Sequence, residues 1–180
     1  MKRLLVIIVL ALAVPCLAFG QPQTAQPPKP GPEVQKLAYT LGTWKTEGEA
    51  KAGNPFGPAG KFSGTGTCEW FAGGFHLVCR GESTGPAGKA TNLSIAGYDA
   101  EAKVYTYYTI ASLGWSETAK GSLSGNTWTW LSDGKAAGKP AKFRYTEVQV
   151  SPTSSTFKAE YSVEGGPWIV AEEGKSTKVK

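Results

Sequence analysis

From Gly42 onward the sequence alternates. Short segments rich in β-branched and aromatic residues put apolar side chains at every second position, and Gly, Asp, Asn or Pro stands between one segment and the next. No helical period is sustained there, so the apolar half of the chain has to be buried by strands. Ten such segments are legible: 42–50, 60–71, 74–83, 90–98, 103–112, 115–123, 126–132, 141–151, 155–164 and 167–178. The clearest is "STFKAEYSVE", where Phe157, Ala159, Tyr161 and Val163 share one face and Lys158, Glu160 and Ser162 the other. That pattern predicts one buried and one wetted face.

The turns have chemistry of their own. "SGN" and "EGGP" supply residues that accept positive φ, as tight hairpins require, and "GYDAEAK" opens a turn with an Asp able to accept from nearby amides. Ten antiparallel strands with short links form a meander. Closing the sheet removes its exposed edges and gives six tryptophans an interior. The expected fold is therefore all-β: an up-and-down antiparallel barrel of about ten strands, with an open two-sheet sandwich as the alternative. "EVQKLAYTL" before it predicts one or two helical turns ending at Gly42.

The beginning of the chain reads differently. Met1-Lys2-Arg3 is basic, Leu4 to Val14 is uninterrupted apolar sequence, and small residues follow at cleavage spacing. Residues 1–20 are expected to be a signal peptide, which implies export to a bacterial periplasm or the medium. Pro15 before Cys16 is a poor context for lipoprotein processing. "QPQTAQPPKPGP" then has five prolines in twelve residues and no bulky apolar side chain, so residues 21–35 read as a flexible linker and 36–180 as the folded domain. Without Lys2 and Arg3 the 19 basic residues fall by two against 14 acidic ones, leaving a net charge near +3. The basic residues are scattered, so no nucleic-acid partner is expected, and no transmembrane segment is expected after cleavage.

"TCEWFAGGFHLVCRG" holds Cys68, Cys79 and the single histidine, His76. The cysteines are symmetric about Gly73-Gly74. A two-residue turn there pairs Phe71 with His76, Trp70 with Leu77 and Cys68 with Cys79. An oxidised pair suits an exported chain, and closing this loop contributes roughly 3 kcal/mol in the chain-entropy model. Counting outward from such a turn puts the cysteines on a wide, hydrogen-bonded pair, an awkward site for a disulfide. His76 falls on the opposite strand face, so neither a thiolate–imidazole pair nor a zinc site converges, and it reads as a surface residue.

Four pieces carry a resemblance: "LAYTLGTWKTEGEA", "CEWFAGGFHLV", "AGYDAEAKVYTYY" and "GSLSGNTWTW". Their order resembles a bacterial, often exported family of domains of unknown function, family fifteen-seventy-nine, over Leu37 to Lys178. The resemblance implies a lipocalin-like, calycin-type barrel, with Trp44 of Gly42-Thr43-Trp44 packed across its closed end. The cysteine pair departs from the family's pattern, and the family brings no established activity. Nitrobindin-like and fatty-acid-binding-type barrels are distantly similar. Nitrobindin-like barrels hold haem through a histidine near the C-terminal strands, whereas "PWIVAEEGKSTKVK" has none, so no cofactor is expected.

Aromatics can fill such a barrel solid or border a cavity. The inward candidates are Trp44, Trp70, Leu77, Tyr107, Trp128, Trp130, Phe157, Ala159 and Tyr161. Trp44, Trp70, Tyr107, Trp128, Trp130 and Tyr161, with Arg80 and Arg144 as anchors for an anionic head group, make the candidate binding set. Alternation places Arg144 opposite in face to Phe143 and Tyr145. Glu47 and Glu49 share a face with Lys45 and read as exposed. No nucleophile elbow, phosphate loop, dinucleotide fingerprint or metal cluster is present in the sequence. Three functions stay open: an exported module binding a small apolar or amphipathic ligand, an envelope structural or interaction domain with a solid core, and an enzyme. A converging Arg80–Tyr145–Glu147 set would favour the last.

Overall fold

The computed structural model describes residues 28–179. The expected signal peptide and residues 21–27 of the expected linker lie outside the described residues. Within them the chain forms ten strands: β1 (Gly42–Ala50), β2 (Gly60–Trp70), β3 (Leu77–Gly85), β4 (Gly88–Asp99), β5 (Val104–Ala111), β6 (Ser116–Ser124), β7 (Thr127–Ala136), β8 (Lys139–Ser151), β9 (Ser154–Val163) and β10 (Ile169–Lys178). Each pairs antiparallel with its sequence neighbours, and β1 pairs with β10 to close the barrel. The barrel is the meander expected from alternation, and the sandwich is not formed. No helix among the described residues is long and apolar enough to cross a membrane.

The expected turns form for the expected reasons. Asp99 Oδ1 accepts from the amides of Glu101 and Ala102 at 3.0 and 2.9 Å. Glu164 and Gly165 take positive φ, 53° and 77°. Three details differ. β3 begins at Leu77, not residue 74, because residues 71–76 form a longer loop. β7 and β8 run on to a turn at Ala137 and Gly138, both with positive φ, so the stretch read as a loop extends the ladder. The outer face of β9 is not wet throughout. Glu160 and Ser162 are buried beneath Arg144, Lys158 and the turn at Gly166, whose carbonyl accepts from Ser162 Oγ.

One end of the barrel is plugged. Helix α1 (Pro32–Lys36) starts inside the stretch read as linker, because Pro32 at its first turn needs no N–H partner and has its φ already set. A 3-10 turn, Leu37–Thr40, continues it into Gly42, where φ is 93°. Leu37 enters the barrel and packs with Leu77, Ala96, Tyr105 and Trp128, ringed by Leu41, Trp70, Tyr98, Leu123 and Trp130. Burying an aliphatic side chain this fully contributes about 1.5–3 kcal/mol. Hydrogen bonds fix the plug. Trp44 Nε1 donates to Thr40 O at 2.9 Å, the Tyr39 hydroxyl reaches the carbonyls of Ser151 and Ser154, and Tyr105 donates to Glu33 Oε2 at 2.9 Å. Trp44 thus closes this end, as the resemblance implied.

Candidate functional site

Register assigns the inner wall. Opposite Trp44 stand Gly66 and, on the other side, Lys178; opposite Tyr145 stand Trp130 and Ala159. Carried around the barrel, this parity gives two unlike half-walls. β5 to β9 carry the large inward side chains Tyr107, Trp130, Phe143, Tyr145, Phe157 and Tyr161. On β1, β2, β3 and β10 the inward positions include Gly48, Gly64, Gly66, Gly81 and Gly174, with Phe62 on β2 reaching across to Phe157 at 6.3 Å between centroids. Gly48 and Gly174 seat the Phe62 and Phe157 rings, where any Cβ would collide. Gly66 is different: a Cβ there would meet one atom, at 3.8 Å. An inward glycine with nothing in front of it marks space.

Tyr145 marks the same space from the other wall. Its ring stacks on Phe157 at 5.6 Å between centroids, yet the residue is 37% exposed. It is also so enclosed that desolvation, followed by the charges of Glu147, Tyr107 and Glu172, pushes its hydroxyl well above the usual tyrosine value. A side chain both surrounded by protein and reachable by water stands in a lumen. Packing around Tyr145 is therefore incomplete above the plug.

The lumen has polar groups at fixed points. On β4 and β5, Ser94 Oγ hydrogen-bonds the Tyr107 hydroxyl at 2.9 Å and Thr109 Oγ1 at 3.0 Å, and receives Asn92 Nδ2 at 3.2 Å. Desolvation raises Tyr107 against those bonds. Ser132 Oγ donates to Glu117. Glu147 on β8 and Glu172 on β10 also face inward, opposite Phe157 and Ala159. Burial pushes both carboxyls above the ordinary range, with no lysine or arginine pulling either down. The mouth is bordered by residues 51–59. Asn54 braces that loop through Lys51 O, Gly57 O and the amides of Phe56 and Gly57, Phe56 packs on Phe143, and Tyr161 donates to Gly53 O at 3.0 Å.

The candidate binding set divides. Tyr161 and Phe157 face inward above the floor, and Tyr107 and Trp130 face inward where they pack against the floor cluster. Trp44, Trp70 and Trp128 belong to the plugged floor, Trp128 being 3% exposed. Arg80 and Arg144 are corrections: both stand on the outer wall, because each neighbours an inward residue in sequence. Arg80 pairs with Glu69 at 3.0 Å, both exposed. Arg144 Nε donates to Glu160 at 2.8 Å and its guanidinium lies 4.2 Å above Trp168. Of the Arg80–Tyr145–Glu147 set, the last two come together inside and the arginine does not. Not every tryptophan is interior either: Trp115 and Trp168 sit in connections and are 50% and 36% exposed. Lys45, Glu47 and Glu49 are exposed on the outer wall as expected, and His76 is exposed. Two shallow outer-wall depressions, one over Thr146, Thr156 and Lys158 and one over Glu47, Lys61 and Thr84, are lined mainly by outward-facing polar residues.

Cys68 and Cys79 form the disulfide, directed inward beside Ser94. Their Cα atoms are 4.1 Å apart, a narrow pair rather than the wide pair expected. Phe71 N donates to His76 O, so the loop closes one pair further out than a two-residue turn would, and every rung below changes phase. Sequence reading missed Glu172. A bulge between Val170 and Glu172 reverses the alternation of β10, so that Ile169 and Glu172, three apart, both lie on the inner register.

A family model described as "Protein of unknown function (DUF1579)" matches residues 29–178. No curated protein matches the chain. Among solved structures, Rv2717c from M. tuberculosis is similar with a TM-score of 0.57 at 13% identity, over 84% of this chain and 100% of that one. The S-type phycobiliprotein lyase CPES from Guillardia theta is similar with a TM-score of 0.50 at 10% identity, over 81% of this chain and 92% of that one. At these identities the likeness is one of fold.

Proposed function

The chain belongs to the DUF1579 family, and we propose that it binds a small amphipathic molecule inside the barrel rather than catalysing a reaction. The observation that carries this reading is Tyr145, an aromatic on the inner register left 37% open to water. A rigid, preformed apolar cleft with a few polar groups is how small-molecule sites are built, since little ordering entropy is lost on filling it. The aromatic half-wall would take the apolar body. Tyr107, Glu147 and Glu172 would take the polar part. The likeness to a protein titled a phycobiliprotein lyase adds the fold and no ligand. Export, read from residues 1–20, belongs to the same proposal, and an exported chain would meet its ligand outside the cytoplasm.

Gly66→Phe tests the reading, because a Cβ there meets no atom closer than 3.8 Å and the new ring is directed inward. Native mass spectrometry of the wild-type chain should show a retained small molecule, or its tryptophan emission should respond to added decanol. The variant should do neither while keeping its circular dichroism spectrum. A wild type that carries nothing and does not respond to decanol overturns the reading.

One observation favours a second reading, an interaction domain. On the outer wall Leu93 lies opposite Ile110 and Ile95 opposite Tyr108, and all four are at least 36% exposed. A contiguous apolar patch of this kind marks an association surface in many soluble proteins. Ile95→Lys would then abolish a concentration-dependent rise in sedimentation coefficient; a wild type that stays monomeric removes this reading.

A further inference from the structure

The charges inside the barrel are of one sign. Glu117, Glu147 and Glu172 have inward register positions on β6, β8 and β10. No described arginine lies on the inner register. The inward lysines are spoken for elsewhere. Lys178 donates to Tyr39 O at 3.2 Å and lies 5.0 Å above the Trp44 ring, at the floor. Lys139, at the rim, pairs with Glu164 at 2.8 Å. Glu117 receives Ser132, which leaves Glu147 and Glu172 as lumen carboxylates with no ion-pair partner among the described residues.

An independent observation lies beside Glu147. Ser155 is 1% exposed, and its Oγ is buried with no hydrogen-bond partner. Glu147 and the Tyr39 hydroxyl stand near enough to feel it, but no bond to either closes. A buried hydroxyl left unpaired is destabilising unless something bonds to it, and this one is on the inner register, as the carboxylates are.

We propose that the lumen's ligand has a cationic amine or ammonium head group, seated between Glu147 and Glu172 against the Tyr145 and Tyr107 rings, with its apolar body toward Phe143 and Tyr161 at the mouth. This rests on the reading of the barrel as a ligand carrier and adds the ligand's charge. Aromatic faces attract a cation through their quadrupoles, and carboxylates without countercharges supply the complementary sign. A carboxylate-headed ligand would meet like charge at the same place. An amine N–H would also reach Ser155 Oγ as donor. The groups facing Glu147 are Tyr145 on its own strand, Tyr39 from the plug, and the uncharged Trp128, Ser155 and Phe157 on β7 and β9; Glu172 faces Tyr145, with Ala50 and Ala159 beside it. Seating the cation favours the ionised carboxyls. Each carboxyl still protonated in the empty barrel gives up its O–H proton to solvent, and affinity rises with pH.

Calorimetric titration of the full chain with three probes of equal chain length decides it: decylammonium, decanol and decanoate. The ammonium should bind at least about tenfold more tightly than the alcohol. Its affinity should fall as the pH is lowered, with measurable proton release on binding, while the alcohol's stays level. Glu147→Gln with Glu172→Gln should erase the ammonium's advantage and leave alcohol binding intact, which also shows that the variant is folded. Alcohol binding equal to ammonium binding, both lost in Gly66→Phe, overturns the charge assignment and keeps the carrier. Tighter binding of decanoate overturns it likewise. Silence of all three probes overturns both.

Discussion

The two ends of this barrel are made from the same alternating strands and do opposite things with them. At the plugged end, Leu37, Leu77, Tyr105 and Trp128 meet across the axis, and Leu77 is 1% exposed. Further along the walls, Tyr145 is 37% exposed and a Cβ at Gly66 would meet a single atom, at 3.8 Å. The difference lies in what each strand contributes opposite its neighbour. The floor receives a helix and large side chains from every direction, whereas the middle receives large side chains from one half-wall and glycines from the other. Stability is concentrated where contacts are complete. Packing is looser where one set of contacts is incomplete, and the proposed ligand site lies there.

Substitutions can break this comparison. The largest effect is expected at the floor: Leu77→Ala should destabilise by about 2–5 kcal/mol, through lost burial and the cavity left behind. Denaturant unfolding measures it, and a cost below that of a surface substitution would mean that the floor is not the core. Next is the disulfide, which staples β2 to β3 just above the floor. Replacing both cysteines by serine should cost about 2–4 kcal/mol. Non-reducing peptide mapping should recover residues 68 and 79 as one cross-linked species. In the lumen, Tyr145→Ala removes a larger side chain than Leu77→Ala but should cost less, about 1 kcal/mol, because that ring is already half hydrated. If Tyr145→Ala proves as costly as Leu77→Ala, the middle is packed and the contrast fails.

The smallest effect has a sign that separates the lumen from the outer wall. Burial raises Glu147 and Glu172 in the folded state. The folded chain therefore holds protons that the unfolded chain releases, and their ionisation costs stability as pH rises above the unfolded glutamate value. Glu160 shifts the other way: Arg144 and Lys158 outweigh the burial that would raise it, so its contribution is present above that value and lost as pH falls through its lowered folded pKa. Glu147→Gln should accordingly raise the unfolding midpoint slightly near neutral pH, and the gain should vanish below about pH 4, where both forms are uncharged. Glu160→Gln should lower the midpoint near neutrality. Thermal scans across pH show the two signs directly.

Much of the scaffold was legible because its causes are local. Alternation named ten segments, Asp99 and Gly165 named turns, and the spacing of Cys68 and Cys79 about Gly73-Gly74 named their pairing. Trp44 was legible through family resemblance. The site was legible only in part. Tyr107, Trp130 and Tyr161 follow from parity, and Arg144 could be placed outside by the same rule. Arg80 obeys that rule too, since it stands between the inward residues Cys79 and Gly81.

By itself the sequence determined the strands, their order and which side chains share a face, since a two-residue period acts between neighbours along one chain. The tertiary structure decided the rest. A bulge at Val170–Glu172 turned Glu172 inward, a loop closed at Phe71–His76 set the phase of the disulfide, and closure brought the aromatic half-wall to face the glycine half-wall. Each of these depends on what stands across a ladder or across the lumen, and a period along the chain carries no record of distances between strands far apart in sequence.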